Sequence, residues 1–220
     1  MSLKGPLARQ ICARAVRALS LNMKSMLGTK GRMTQVFDEA GVVRAATVVV
    51  AGPLTVTQVR TSEKDGYASA QYGFGERKAS RLNKAQAGKP FRVFREFPYE
   101  GAVPEVGSKV DVSAFAVGDL VTVSAVSKGK GFQGVVKRHG FKGGPRSHGQ
   151  KNKERAPGSI GGAGRAGGRV AKGMRMAGRM GGERTTVENL KVLQVDPATN
   201  TLLISGAIPG SPGTLVEIRG

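Results

Sequence analysis

Tryptophan is absent from this chain, and Phe, Tyr and Trp together make up only 5% of it. So few aromatics suggest a modest core of Val, Ala and Leu that serves only part of the length. The single cysteine, Cys12, rules out an intrachain disulfide and any thiolate metal cluster within one chain. His139 and His148 are the only histidines, and neither has a cysteine or carboxylate at a metal-site spacing. No apolar run approaches the roughly 20 residues that span a bilayer; the longest stretches are short, such as Ala45 to Ala51. Walker A, G-x-S-x-G, H-E-x-x-H and paired-carboxylate patterns are also missing. The expectation is a protein that is not an enzyme, with no cofactor, no metal, no small-molecule substrate and no membrane partner.

Acid is scarce too. Fifteen Asp and Glu stand against 35 Lys and Arg, a formal charge of +20 over 220 residues. Self-repulsion on that scale opposes compaction unless a polyanion neutralises it. The imbalance is concentrated between Ser127 and Arg184, which hold about half of the 33 glycines and, as acids, only Glu154 and Glu183. Apolar residues are so sparse there that the segment cannot make a core of its own.

On either side the pattern is β-type. Met33 to Phe37 and Val42 to Val50 flank Asp38-Glu39-Ala40-Gly41, a hairpin signal with Gly at the position suited to a positive φ. Further strand candidates are Leu54 to Thr61, Tyr67 to Tyr72, Phe91 to Phe97 and Leu120 to Val126, with turns at Lys64-Asp65-Gly66 and Val117-Gly118-Asp119. Lys78 to Ala87 favours a short surface helix closed by Gly88 and Pro90. Strand character resumes at Leu190 to Val195, Thr201 to Ser205 and Leu215 to Ile218, around a turn at Asp196 to Asn200. This spacing predicts a mainly β chain, an antiparallel barrel or sandwich formed by residues 26–126 and 185–220 and interrupted by residues 127–184. Because both ends of the interruption emerge from strands, it is an insertion rather than a tail.

Residues 1–25 stand apart. Lys4, Arg9, Arg14, Arg17 and Lys24 alternate with Leu7, Ile11, Val16 and Leu19, and no acid occurs before Asp38. A basic amphipathic helix fits this spacing. Three readings remain open for the arm: a targeting segment, an RNA-contacting extension, or a start upstream of the true one at Met23 or Met26.

The insertion has the chemistry of a polyanion ligand. Gly lets a backbone approach a phosphate chain and expose N–H donors, while Arg offers a planar fork that pairs with phosphate or stacks on bases. A solubilising disordered linker is the plainer alternative, and Phe132, Phe141, Ile160, Met174, Met176 and Met180 count against it. Gly129-Lys130-Gly131-Phe132-Gln133-Gly134 formally satisfies the dinucleotide pattern G-x-G-x-x-G. That site needs a helix opening onto a pyrophosphate, whereas Gly140, Gly143, Gly144 and Pro145 soon break any helix. A free-standing nucleic-acid chaperone or DNA-compacting protein satisfies the charge as well as an RNA-bound structural protein does.

Several blocks in order separate these. Leu27-Gly28-Thr29-Lys30, Met33-Thr34-Gln35-Val36-Phe37, Ser127-Lys128-Gly129-Lys130-Gly131-Phe132-Gln133-Gly134, Lys137-Arg138-His139-Gly140-Phe141, Ser147-His148-Gly149, Pro157-Gly158-Ser159-Ile160-Gly161 and Met176-Ala177-Gly178-Arg179-Met180-Gly181 resemble the universal large-subunit ribosomal protein family called L three, in its bacterial or organellar form. The resemblance runs from about Met26 to the C-terminus. It implies a translation-protein-type β-barrel and an extension threading large-subunit rRNA of 23S type toward the peptidyl transferase centre. An early role in subunit assembly, neighbouring large-subunit proteins as further partners, and a cytoplasmic or organellar ribosome as location follow from the same likeness.

By that likeness the first limb carries Lys128, Lys130, Lys137, Arg138 and His139 as rRNA contacts. Lys142, Arg146 and His148 lead to the tip, where Lys151, Lys153 and Arg155 lie. Arg165, Arg169, Lys172, Arg175, Arg179 and Arg184 line the returning limb. Two positions depart from the pattern. Gly162 stands where bacterial relatives often carry a methylated glutamine, so that modification should be absent. Glu154 stands where His is usual, and Lys151, Lys153 or Arg155 are its expected partners.

Overall fold

The computed structural model describes residues 24–38, 41–86, 88–99, 103–162 and 167–220. The helix expected in residues 1–25 therefore lies, as far as residue 23, outside the described residues, as does Cys12. The described residues form two compact units, one comprising those up to Val126 together with Thr185–Gly220, the other those within Ser127–Arg184.

The first unit contains β1 (Ser25–Phe37), β2 (Val43–Ala51), β3 (Leu54–Arg60), β4 (Ser69–Glu76), β5 (Phe91–Pro98), β6 (Lys109–Val110) and β7 (Leu120–Val126). The second contributes β8 (Gly131–Gln133) and β9 (Gly178–Met180), and the chain ends with β10 (Arg184–Asp196), β11 (Thr201–Ser205) and β12 (Leu215–Arg219). Six of these strands close a barrel in the order β1-β12-β7-β10-β11-β2. β1 pairs antiparallel with β12 from Ser25↔Arg219 to Thr29↔Leu215, and with β2 from Gly28↔Ala51 to Phe37↔Val43.

Alternation along each strand explains the barrel. In β11, Leu202 and Ile204 are buried while Thr201, Leu203 and Ser205 are half-buried, the period-two signature of a sheet with one face on a core. Val121 and Val123 of β7 and Val216 and Ile218 of β12 point the same way. Met26, Leu27, Leu202, Ile204 and Ile218 are fully buried in one cluster, each such side chain stabilising the fold by about 1.5–3 kcal/mol. The core is mainly aliphatic, in keeping with the scarcity of aromatics, although Phe97 and Phe115 are also buried in it.

A single barrel or sandwich was the expectation, but β3, β4 and β5 do not enter the barrel. They form a separate four-stranded sheet in the order β5-β4-β3-β6. The break falls at Gly52-Pro53: Gly52 has φ 83°, and Pro53 has no N–H with which to continue the β2 ladder. Leu54 and Phe97 of this sheet still join the barrel's apolar cluster. Arg95 Nε of β5 also donates to the buried Glu217 carboxylate of β12 at 2.9 Å, and Arg219 lies over the Phe97 ring at 5.4 Å.

Of the residues 78–87 expected to form a helix, the described ones, 78–86, form no α-helix. Two 3-10 turns, Ala79–Arg81 and Lys84–Gln86, replace it, closed by Arg81 N–H to Lys78 O at 3.0 Å and Gln86 N–H to Asn83 O at 2.9 Å. The segment is too short to recover the cost of helix nucleation, and Leu82 is its only large apolar residue. Short helices occur instead at Ser62–Asp65, ended by Gly66 at φ 80°, and at Val135–His139.

The expected turn before β7 is present, with Gly118 at φ 93°. Asp119 Oδ2 accepts the Ala116 N–H at 3.0 Å and pairs with Lys24 Nζ at 2.7 Å. These two contacts hold its carboxyl below the usual carboxylate range.

Candidate nucleic-acid interface

Residues 127–184 leave the barrel at the end of β7 and return to it at the start of β10, strands that are neighbours in the barrel order. Among the described residues of this unit only Val135 is a buried apolar side chain. Backbone bonds do the holding instead. Ser127 N–H reaches Glu183 O at 2.8 Å, Gly182 N–H reaches Ser127 O at 3.2 Å, and Lys130 N–H reaches Met180 O at 2.9 Å. The two limbs then zip as an antiparallel ribbon, with Gly131↔Met180, Phe132↔Arg179 and Gln133↔Gly178 in register.

Beyond the ribbon the helix Val135–His139 turns the chain and ends at Gly140, φ 71°. Its last turn brings two expected contact residues back onto the opposite limb: Arg138 Nη1 donates to Met176 O at 2.9 Å, and His139 Nε2 lies 3.0 Å from the same oxygen. The His139 and Phe141 rings are 5.9 Å apart and tilted by 43°. Gly178 makes room for this clasp, because a Cβ there would lie 2.5 Å from Arg138 Nη1. No spacing rule could have announced the Met176 carbonyl as the meeting point.

Toward the tip, Gly144 N–H donates to Glu154 O at 2.8 Å. Gly143 sits beneath it at φ 80°, where an added Cβ would fall 2.1 Å from Glu154 O. Phe141, Lys142, Gln150, Lys153 and Pro157 line a cleft here of about 660 Å³. The Glu154 carboxylate pairs with Arg146 Nε at 2.7 Å rather than with Lys151, Lys153 or Arg155. The Gly144–Glu154 backbone bond aligns the two chain segments, so the cross-chain Arg146 reaches the carboxylate instead of the residues adjacent in sequence. Arg146 stays 84% exposed in its side chain, so the pair leaves it open to solvent.

The expected contact residues therefore fall into two kinds. Arg138 and His139 are half-buried and spend polar atoms on their own chain. Lys128, Lys130, Lys137, Lys142, Arg146, His148, Lys151, Lys153, Arg155, Arg169, Lys172, Arg175, Arg179 and Arg184 are exposed, Arg146 while also paired with Glu154. Arg165 lies outside the described residues. Among the described residues there is no group of three or more His, Cys, Asp or Glu able to hold a metal ion, and no helix is long and apolar enough to cross a membrane. The G-x-G-x-x-G turn does lead into a helix, but one of only five residues, Val135–His139.

A six-stranded barrel in one unit and a backbone-zipped insertion rich in exposed cations in the other suit a structural component of a larger assembly. Likeness to known proteins specifies which. The model of the family described as Ribosomal protein L3 matches residues 100–208. Large ribosomal subunit protein uL3 of Acidothermus cellulolyticus is 51% identical over 205 residues, covering 90% of this chain and 92% of that protein. Its counterpart in a Roseiflexus species is 50% identical over 204 residues, covering 90% and 97%. That of Alcanivorax borkumensis is 46% identical over 201 residues, covering 88% and 95%. The chain belongs to the ribosomal protein L3 family, and is thus a structural constituent of the large ribosomal subunit and not an enzyme. Its bacterial-type relatives place it with the ribosome, in the cytoplasm.

Proposed function

We propose that residues 127–184 bind large-subunit rRNA of 23S type, and that this binding supports early subunit assembly and braces RNA near the peptidyl transferase centre. The observation that carries the reading is how the insertion is held. Its limbs are joined by backbone bonds and glycine contacts, so most of its Lys and Arg side chains are not consumed by folding and remain exposed. Arg138 and His139 clasp the limbs, while the exposed cations face outward to neutralise phosphates. Lys151, Lys153 and Arg155 lie at the tip, with Lys142, Arg146 and His148 leading to it, and the barrel supplies surface for neighbouring large-subunit proteins.

The test is a salt titration of the full chain on 23S-type rRNA fragments, alongside a variant carrying Lys151→Ser, Lys153→Ser and Arg155→Ser. The slope of log K against log salt should flatten by about 0.7–0.9 for each phosphate that the variant no longer neutralises. Equal affinity and equal slope for rRNA and chromosomal DNA, with no recovery in sedimented large subunits, would refute the reading.

A further inference from the structure

We propose that Phe132 and Arg179 form a stacking platform for one unpaired nucleobase of RNA, an inference that rests on the rRNA-binding reading above and specifies a contact within it. Phe132 is 77% exposed. It sits on a regular ribbon with a fixed cross-strand partner, Arg179, which is also exposed. Directly opposed residues of an antiparallel pair share a face, with Cβ atoms about 4.5–5.5 Å apart. The two side chains therefore leave the ribbon from the same face.

Nothing on that surface can bury the ring. Along β8 the positions two residues away are Lys130 and Gly134, and diagonally across the ribbon they are Ala177 and Gly181. Gly129, Gly131 and Gly134 each face open space, with no atom within 4 Å of where a Cβ would stand. Of the glycines that mimic a dinucleotide fingerprint, Gly134 shares the ring's face and leaves it clear, while Gly131 holds a φ of 70° that few other residues adopt.

The surroundings decide what the partner is. A protein partner would require an apolar patch around the ring, since interface anchors sit in well-packed pockets. Phe132 is instead flanked by cations and glycines. An aromatic face with a guanidinium beside it and a lysine at one edge is complementary to a base on its sugar-phosphate chain: the ring stacks, Arg179 stacks on the next base or pairs with its phosphate, and Lys130 adds charge. A splayed, single-stranded nucleotide meets this description, whereas a base inside an A-form helix does not present its face.

Two variants of the full chain test this. The protein contains no tryptophan, so Phe132→Trp introduces a single indole at the platform. Its emission should be quenched on adding a 23S-type rRNA fragment, with affinity retained because the aromatic face is conserved. Phe132→Leu keeps apolar bulk without a π face, and should bind the same fragment roughly 5- to 150-fold more weakly with an unchanged salt slope. The weakening should be matched by increased chemical reactivity of one unpaired base. Leu binding as tightly as Phe, or Trp emission unchanged in a saturated complex, overturns the platform while leaving rRNA binding intact. Failure of the unsubstituted chain to bind rRNA overturns the underlying reading instead.

Discussion

Gly143→Ala isolates what glycine does in a segment that lacks a core. The substitution imposes two penalties. At φ 80° an L side chain occupies the left-handed region, which costs about 1–2 kcal/mol. The new Cβ would also stand 2.1 Å from Glu154 O, a backbone atom with no rotamer to escape into. Relief requires the two chain segments to separate, breaking the 2.8 Å bond from Gly144 N–H to Glu154 O at about 1 kcal/mol or more. The local loss is therefore about 2–3 kcal/mol, or roughly a 30- to 150-fold change in an opening equilibrium. Native-state hydrogen exchange reads it directly, as faster exchange at the Gly144 amide by that factor. Gly158→Ala is the control. Its φ of 84° is equally left-handed but nothing lies within 4 Å of the added Cβ, so only the conformational penalty of about 1–2 kcal/mol applies. If the Gly144 amide exchanges at the same rate in both variants, the close approach to Glu154 contributes nothing and the reasoning fails. The barrel's thermal transition should not move in either variant, because the packed apolar cluster lies wholly outside residues 127–184.

Ile204→Ala acts on the other unit. Its side chain is fully buried in the barrel cluster, so the loss should be about 2–5 kcal/mol. At roughly 2–4 °C per kcal/mol for a chain of this size, calorimetry should show Tm falling by about 4–20 °C; a drop of less than a degree or two would mean that this end of the barrel is poorly packed. Asp119→Asn probes the Lys24 and Ala116 contacts through pH. Because the folded carboxyl titrates below its unfolded value, its contribution is fully present above about pH 4 and is lost as pH falls through the folded value. Denaturant unfolding should therefore show wild type more stable than the variant at neutral pH, with the gap closing in acid. A gap that persists at pH 2 would show that the asparagine, not the missing charge, is responsible.

The strands whose limits could be read from sequence are those with uninterrupted alternation and clear turns. Leu120–Val126 and Thr201–Ser205 run where the pattern ends at Gly118-Asp119 and at Gly206. β1 begins at Ser25, well before Met33, because Gly28 and Gly31 weaken strand character and only pairing with β12 and β2 reveals it. β10 likewise starts at Arg184 rather than Leu190, through Thr-Thr-Val-Glu-Asn residues with no apolar alternation of their own. The division of the first unit into a barrel and a separate sheet was hidden for a different reason. Strand patterns report which face is buried, not which neighbour a strand chooses, and that choice was made at Gly52-Pro53. Within the insertion, glycine and charge were legible as composition. The clasp of Arg138 and His139 on Met176 O, and the pairing of Glu154 with Arg146, arise from cross-chain geometry that sequence spacing does not encode.

The pairing of β1 with β12 carries a consequence for the order of events during synthesis. Ser25 meets Arg219, so the barrel cannot close until residue 219 has been made. The basic insertion is made before that moment. At about 5–20 residues per second, residues 127–184 are complete some seconds before Arg219 is added, attached to an open sheet and unneutralised. The insertion is therefore made before the barrel that carries it can close.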